Sequence, residues 1–363
     1  MKKYMIKILP SLKVLFPFLV LFYSLSCSKP KETVLAFDDV IPVIIDTGNT
    51  MLMDRQVLEF RNLDLPGVMD VKVWNDYLLF STQDPSGYIK VINKNSKEPL
   101  GSFILHGNGP DELLDPTPFS DFCFDKVLVS VNNSKGRLIY WDIKASCEEG
   151  HTICVTREDN LVLNSGYLSS IIPVSDETLA CVEIVNCGQN RFLYREGERI
   201  ILPSQQRLNE VKLTTNDGFR FNMLFGFAVY NKERHRMVEA SAMLNTIQLY
   251  SVDDDFARTI CIGRCPDDVS AIEKLPLADL PMSFQSLRAF EQGFGILFFG
   301  TTLDSFEQIK TNTPIILLFD WNGQLMDCYN VPVWISSFDI DWDNKVVYGV
   351  DYDEEKVYQF SLL

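Results

Sequence analysis

The chain has 363 residues, 46% of them hydrophobic, with 49 acidic and 33 basic side chains and a formal charge of −16. Such an acidic surface argues against nucleic acid as a partner, since binding there depends on Lys and Arg neutralising phosphates. It argues also against an anionic membrane face, and against a polyanionic glycan unless a local basic patch or metal ions intervene. The length suffices for one large repeat fold or two ordinary domains.

Lys2, Lys3, Lys7 and Lys13 make a basic start, and Val14–Tyr23 is an apolar run. That run is too short to span a bilayer, which takes ~20 helical residues. Residues 1–26 therefore read as a secretory signal peptide and are set aside from fold reasoning. Ser24-Leu25-Ser26-Cys27 resembles a bacterial lipobox, with Ser24 where the pattern usually has Leu. The expectation is acylation of Cys27 as the first mature residue, a lipidated tether over 27–33 and a domain over 34–363. An ordinary signal peptide with a chance cysteine is the alternative. Acyl chains contribute ~0.8 kcal/mol per buried methylene, enough to hold a soluble domain at a membrane without a spanning helix. Ser28-Lys29 begins like a surface-export signal, but only Glu32 follows where an acidic run is usual. The outer membrane of a Gram-negative bacterium is expected, with its periplasmic or outer face left open. Without residues 1–26 the formal charge becomes −20.

Six stretches then share one grammar: 71–93, 122–143, 172–195, 228–251, 290–320 and 339–362. In each, a short apolar strand meets a polar turn, a second apolar strand follows, and a third is rich in aromatic and β-branched residues. The first turns fall at Asn75, Asp125, Asp176, Asn231, Gln292 and Asp343, with spacings of 50, 51, 55, 61 and 51 residues. Recurring multi-strand units of ~40–50 residues, with no convincing amphipathic helix between them, predict an all-β, six-bladed β-propeller of four-stranded antiparallel blades. The sixth unit stops at Leu363 after its third strand. An open edge invites unwanted pairing, so an N-terminal strand is expected to complete the last blade. The candidates are Val40–Ile45, weakened by Pro42, and Gln56–Phe60.

Of nine cysteines, eight remain after Cys27: Cys123, Cys147, Cys154, Cys181, Cys187, Cys261, Cys265 and Cys328. An oxidising compartment permits disulfides. Cys147 and Cys154 could close a hairpin. Cys261 and Cys265 suggest metal only superficially, because no second pair or nearby histidine completes a zinc set. Buried free thiols are the alternative for most of these positions.

Between the first and second units lies His106-Gly107-Asn108-Gly109-Pro110-Asp111-Glu112-Leu113. A phosphate loop would need a row of free N–H donors and a following Lys. Here Pro110 removes a donor, no lysine follows, and Asp111 and Glu112 repel phosphate, so a blade-to-blade connection fits better. Gly263-Arg264-Cys265-Pro266-Asp267-Asp268 repeats the pattern 156 residues on, between the fourth and fifth units. Gly107 to Leu113, then Pro116 and a new strand, resembles the linker of NHL-type repeats, with Leu113 replacing the usual Phe. With the lipobox, six units and terminal arrangement, the mature chain resembles the TolB-like six-bladed propeller lipoproteins. The resemblance implies an envelope lipoprotein and carries no catalytic residues across.

Chemistry is sparse. His106, His151 and His235 show no metal spacing, and no Gly-x-Ser-x-Gly elbow occurs. Asp339-Ile340-Asp341-Trp342-Asp343-Asn344 starts like a calcium loop but has Asn344 and Val350 where glycine and glutamate are required. It reads as strand–turn–strand, and Asp253-Asp254-Asp255 as a solvated turn. Trp74, Trp141, Trp321, Trp334 and Trp342 could stack on sugar rings, though Trp74 and Trp342 more simply cover the layer between blades. No catalytic or metal residue is assigned, the ligand-binding residues are left unknown, and no cofactor is expected, calcium being the one candidate. The expected function is a lipid-anchored, monomeric envelope binding or scaffold protein that presents a propeller face to a protein, peptide or glycan. The alternative is a calcium-dependent propeller enzyme, lactonase-like or glycan-cleaving, with acids gathered in the channel.

Overall fold

Short runs of β-branched and aromatic residues, each closed by a polar turn, become strands throughout the computed structural model. It describes residues 35–46, 50–57, 64–107, 109, 112–113, 123–124, 127–132, 137–150, 154–160, 167–185, 188–213, 223–266, 269–308 and 313–362. The signal peptide, Cys27 and the tether over 27–33 lie outside the described residues.

Three strands precede the first repeat: β1 (Val40–Val43), β2 (Met51–Leu52) and β3 (Arg55–Val57). Sheet 1 holds β4 (Asp70–Trp74), β5 (Tyr77–Ser81), β6 (Ile89–Asn93) and β7 (Pro99–Phe103) in that order. A two-stranded parallel pair, β8 (Leu105–His106) and β9 (Glu112–Leu113), forms the connection that follows. Sheet 2 holds β10 (Cys123–Phe124), β11 (Val127–Asn132), β12 (Arg137–Asp142) and β13 (Cys154–Asn160), with helix α1 (Ile143–Glu149) between the last two. Sheet 3 holds β14 (Tyr167–Pro173), β15 (Thr178–Val185), β16 (Gly188–Arg195) and β17 (Glu198–Ile200), followed by α2 (Pro203–Asn209).

Sheet 4 holds β18 (Gly226–Asn231), β19 (Arg236–Ser241), β20 (Thr246–Ser251) and β21 (Ala257–Ile262); α3 (Val269–Glu273) follows it. Sheet 5 holds β22 (Pro281–Ala289), β23 (Gly293–Thr302), β24 (Ile315–Asp320) and β25 (Leu325–Asn330), with α4 (Leu303–Gln308) after β23. Sheet 6 holds β26 (Ser337–Asp341), β27 (Val346–Asp351) and β28 (Lys356–Ser361), with β3 beside β28. The inner strands β14, β18, β22, β26 and β4 lie side by side in that order. This is an all-β propeller.

Apolar side chains pack between several successive sheets. Val238, Leu249 and Ile260 of sheet 4 meet Phe284, Phe294 and Phe319 of sheet 5. Leu297, Ile316 and Leu318 meet Phe338, Val347 and Phe360 of sheet 6. Tyr348, Val350 and Val357 meet Val71, Leu78 and Phe80 of sheet 1. Each such side chain contributes about 1.5–3 kcal/mol on burial.

The N-terminal segment departs from the expected antiparallel, four-stranded pattern. Val40–Val43 does not complete the last sheet. It pairs in parallel with β21, Val40 beside Thr259 and Val43 beside Ile262, as a fifth strand on sheet 4. Pro42 is tolerated because the strand is an edge that needs no outer partner. β2 adds in parallel to β25 as a fifth strand on sheet 5. β3 pairs antiparallel with β28, Arg55 beside Phe360 and Val57 beside Tyr358. The segment thus passes along three successive outer edges, and its direction of travel makes the first two pairings parallel. The short helices in the connections are a second departure from the sequence reading.

The two ends of the propeller differ. At one end first and second strands join by tight turns, such as Asn75-Asp76, where Trp74 faces Tyr77 and Asn75 takes φ 51°. Asn tolerates that left-handed conformation in a hairpin. The opposite end carries the connections between sheets and those between second and third strands, including α3 and α4. There Val211, Leu213, Met223, Met243, Leu244, Val269, Leu280 and Leu303 form a satellite core.

Candidate functional site

Most residues with chemical promise in the sequence are absorbed by structure. Asp339 accepts from the Val73 backbone N–H at 2.7 Å and lies 4.0 Å from the Lys72 ammonium. Asp341 binds Lys94 Nζ at 3.1 Å and the Asn344 side chain at 2.7 Å. The apparent calcium loop is therefore strand, turn and strand, with its carboxylates held by lysines. Among the described residues no cluster of His, Cys, Asp or Glu is arranged to hold a metal. Asp253–Asp255 form an exposed bend, with Asp253 2.8 Å from His235 and Asp254 paired to Arg236. His106 is exposed and packs edge-on to Tyr88, while His151 lies outside the described residues.

The tryptophans are packing residues. Trp74, Trp141, Trp321 and Trp334 are buried. Trp141 donates to Ser146 Oγ at 2.6 Å and Trp321 to Phe290 O at 3.1 Å. Trp342 packs edge-on to Phe290. No broad indole face is left for a sugar.

The cysteines also depart from expectation. Cys147 and Cys154 are free thiols, whereas Cys261 and Cys265 are joined as a disulfide within the Gly263 loop. Burial pushes the Cys181 thiol up to about 12 and that of Cys147 up to about 11. Such groups are poor nucleophiles, because the thiolate is the reactive form. Cys187 lies outside the described residues.

Glu112 explains the glycine-rich connection. Its carboxylate accepts from the Gly109 N–H at 2.7 Å, and a Cβ on Gly107 would collide with it. The anion bound by this loop is its own glutamate.

A buried polar cluster joins the inner strands of sheets 5, 6 and 1. The Arg288 guanidinium bonds Asp70, Ser337 Oγ at 3.2 Å and Phe338 O at 2.8 Å, and Asp70 also accepts from Ser337. Its groups serve one another, and it reads as a structural tie.

The interface between sheets 3 and 4 is different. Its half nearer the turn end is apolar, with Tyr230, Met237, Tyr250 and Leu208 packed together. Its other half opens into a small cleft, partly open to solvent. Strand register builds the walls. Ser170, Val182 and Arg191 lie in one row across β14, β15 and β16. Ala228, Glu239, Gln248 and Thr259 lie in one row across β18, β19, β20 and β21. Leu208, Val211, Leu224 and Leu244 supply apolar lining from the connections.

Gln189, Glu239 and Gln248 are 5%, 7% and 8% exposed, and what they expose faces the cleft. Arg191 Nε donates to Glu239 at 2.7 Å, and its Nη2 donates to Gln189 Oε1 at 2.8 Å. Tyr250 donates its hydroxyl to Glu239 at 2.6 Å. Burial first, and then the Glu239 charge, raise the Tyr250 hydroxyl well above its ordinary range, so it stays a donor. Gln248 Oε1 accepts from Thr259 at 2.8 Å. Among the described residues, Arg191 Nη1 and the amide nitrogens of Gln189 and Gln248 have no hydrogen-bond partner. The cleft therefore combines a neutralised ion pair with a surplus of donors. Sequence reasoning missed it. The available signal was a charged or amide residue inside an otherwise apolar strand, as in Arg236-Met237-Val238-Glu239-Ala240-Ser241.

Two solved structures share the fold. One is a protein of Bacteroides fragilis NCTC 9343 named as a candidate exported protein; it is 10% identical, covers 88% of this chain and 98% of its own, and has a TM-score of 0.53. The other is a DUF4221 family member from Bacteroides vulgatus ATCC 8482, at 11% identity, with 85% and 96% coverage and a TM-score of 0.56. No curated protein matches the sequence. The sequence profile of the TolB-like 6-blade propeller-like family matches residues 56–343, and the chain belongs to that family.

Proposed function

We propose that this protein is an exported, lipid-anchored binding protein whose ligand sits in the cleft between sheets 3 and 4. In this reading the six sheets are blades of one ring closed by β3, and acylated Cys27 holds the domain at the outer membrane of a Gram-negative cell. The carrying observation is the cleft itself: Gln189 and Gln248, more than nine-tenths buried, and Arg191, 13% exposed, line it from both walls with amide and guanidinium donors. A ligand that accepts from these donors would replace the water they otherwise meet. The reading is binding without catalysis or cofactor, by a monomer.

The tether's point of attachment supports this arrangement. Residue 39 lies at the turn end, where Asp39 pairs with Arg258 at 2.7 Å and Arg258 reaches Asn322 O. Ala36 and Phe37 are buried nearby in the core shared by sheets 3 and 4. The cleft occupies the other end of that interface from the point at which the described chain begins. Export of a fold relative, as its name states, agrees with residues 1–26 acting as a signal peptide. Among the described residues no helix is long and apolar enough to cross a membrane.

The test uses the mature chain and Ser170→Phe, which fills the cleft from a half-buried wall position. Calorimetry against short peptides and oligosaccharides is expected to find a ligand that the variant loses. Equal binding to both proteins, or no binding across the panel, would overturn the cleft reading. Labelled palmitate is expected to enter the wild type and not Cys27→Ala; labelling of both would remove the anchor.

A further inference from the structure

We infer that the cleft ligand is an uncharged saccharide unit, recognised through its hydroxyl and ring oxygens. The inference rests on the cleft reading and adds the chemical class. Three properties of the site carry it. First, the cleft holds one cation and one anion, and they neutralise each other: Arg191 and Glu239 meet at 2.7 Å, with side chains only 13% and 9% exposed. A carboxylate or phosphate ligand would add a buried charge with no free counter-charge, and an ammonium would do the same; either is costly in a water-poor site. Second, the unmet groups are chiefly donors, on Gln189, Arg191 and Gln248, and they come from both walls. A matching ligand must present several acceptor oxygens in divergent directions. Ring-borne hydroxyls do this, and their rotatable protons also let them donate to the lone pairs remaining on Glu239. Third, the rest of the lining is mostly small or apolar, with Ser170, Val182 and Ala228 in the facing rows and Phe227 at the wall. It suits the C–H edges of a sugar.

Calorimetric titration of the mature chain compares neutral di- and trisaccharides with uronic acid oligosaccharides and tripeptides. At least one neutral saccharide should bind. Gln248→Met should weaken it by about tenfold, the loss expected for one well-placed hydrogen-bond donor. Ser170→Phe should abolish binding, with both variants melting as cooperatively as the wild type. Ser170→Phe also guards against an indirect effect of Gln248→Met through Thr259. Preference for the acidic oligosaccharides, or binding of a tripeptide that Ser170→Phe abolishes, would overturn the saccharide inference while keeping the cleft. Saccharide binding untouched by Ser170→Phe would overturn both.

Discussion

Arg288 and Asp84 show how context decides what a charge does. Arg288 and Asp70 are 5% and 6% exposed and tie three inner strands. Asp70→Ala should leave the guanidinium without its counter-ion and lower stability by about 3–5 kcal/mol. Asp70→Leu with Arg288→Met should recover much of that loss. Urea unfolding of the single and double variants checks it; a loss below about 1 kcal/mol for Asp70→Ala would deny the tie. Asp84 is a rim residue. The hydrogen bond from Lys90 Nζ at 2.5 Å, helped by those from Ser86, holds its carboxyl down to about 2 against a desolvation that works the other way. A depressed folded-state value stabilises the native state above the unfolded value of about 3.9, and that contribution is lost as pH falls through about 2. Asp84→Asn should therefore be less stable than wild type at neutral pH by about 1–2 kcal/mol, with the gap closing between about pH 4 and pH 2. A pH series of urea midpoints reads this directly, and a gap independent of pH would refute the assignment.

At the scale of elements, the N-terminal strap is the least conventional part. It covers the outer edges of sheets 4 and 5 before β3 joins sheet 6. Those edges would otherwise expose unpaired backbone groups, a hazard for association. Phe37, 2% exposed and 6.1 Å from the Tyr250 ring centroid, fastens its beginning. A chain starting at residue 47 should lose about 3–5 kcal/mol, the cost of deleting a buried aromatic anchor. It should also associate with rising concentration, as followed by sedimentation. A truncated chain as stable and monomeric as the full one would reduce the strap to ornament. Repeat spacing made the sheets legible, because turn chemistry recurs locally. The strap was only half legible: both N-terminal segments read as strands, but which edge each would meet is a matter of spatial proximity. Arg55–Val57 proved to be the partner of β28, and Val40–Val43 went to β21.

For the molecule as a whole, the two ends divide the labour. The tight first turns mark one end and most of the longer connections the other, as expected when function is carried on loops over a rigid scaffold. Sheet packing is largely apolar between sheets 4 and 5, 5 and 6, and 6 and 1, with buried ion pairs that serve one another, and between sheets 3 and 4 it opens into a polar cleft. Where the packing opens to solvent is where a site is most readily placed. Propellers host many chemistries on one scaffold, so the fold alone names no ligand; the charge balance and donor surplus of this one interface support the saccharide reading.

The sequence by itself determined the all-β propeller class, the positions of the turns and the acidic character that disfavours polyanionic partners, because periodicity, turn residues and charge are local properties. It also exposed the failure of the calcium-loop and phosphate-loop patterns. Only the tertiary structure decided that Cys261 pairs with Cys265, that β1 and β2 add in parallel to neighbouring sheets, and that Gln189, Arg191, Glu239 and Gln248 share one cleft. These residues stand up to 59 positions apart in the chain. Their meeting follows from strand register and from the stacking of sheet 3 on sheet 4, which no local pattern encodes.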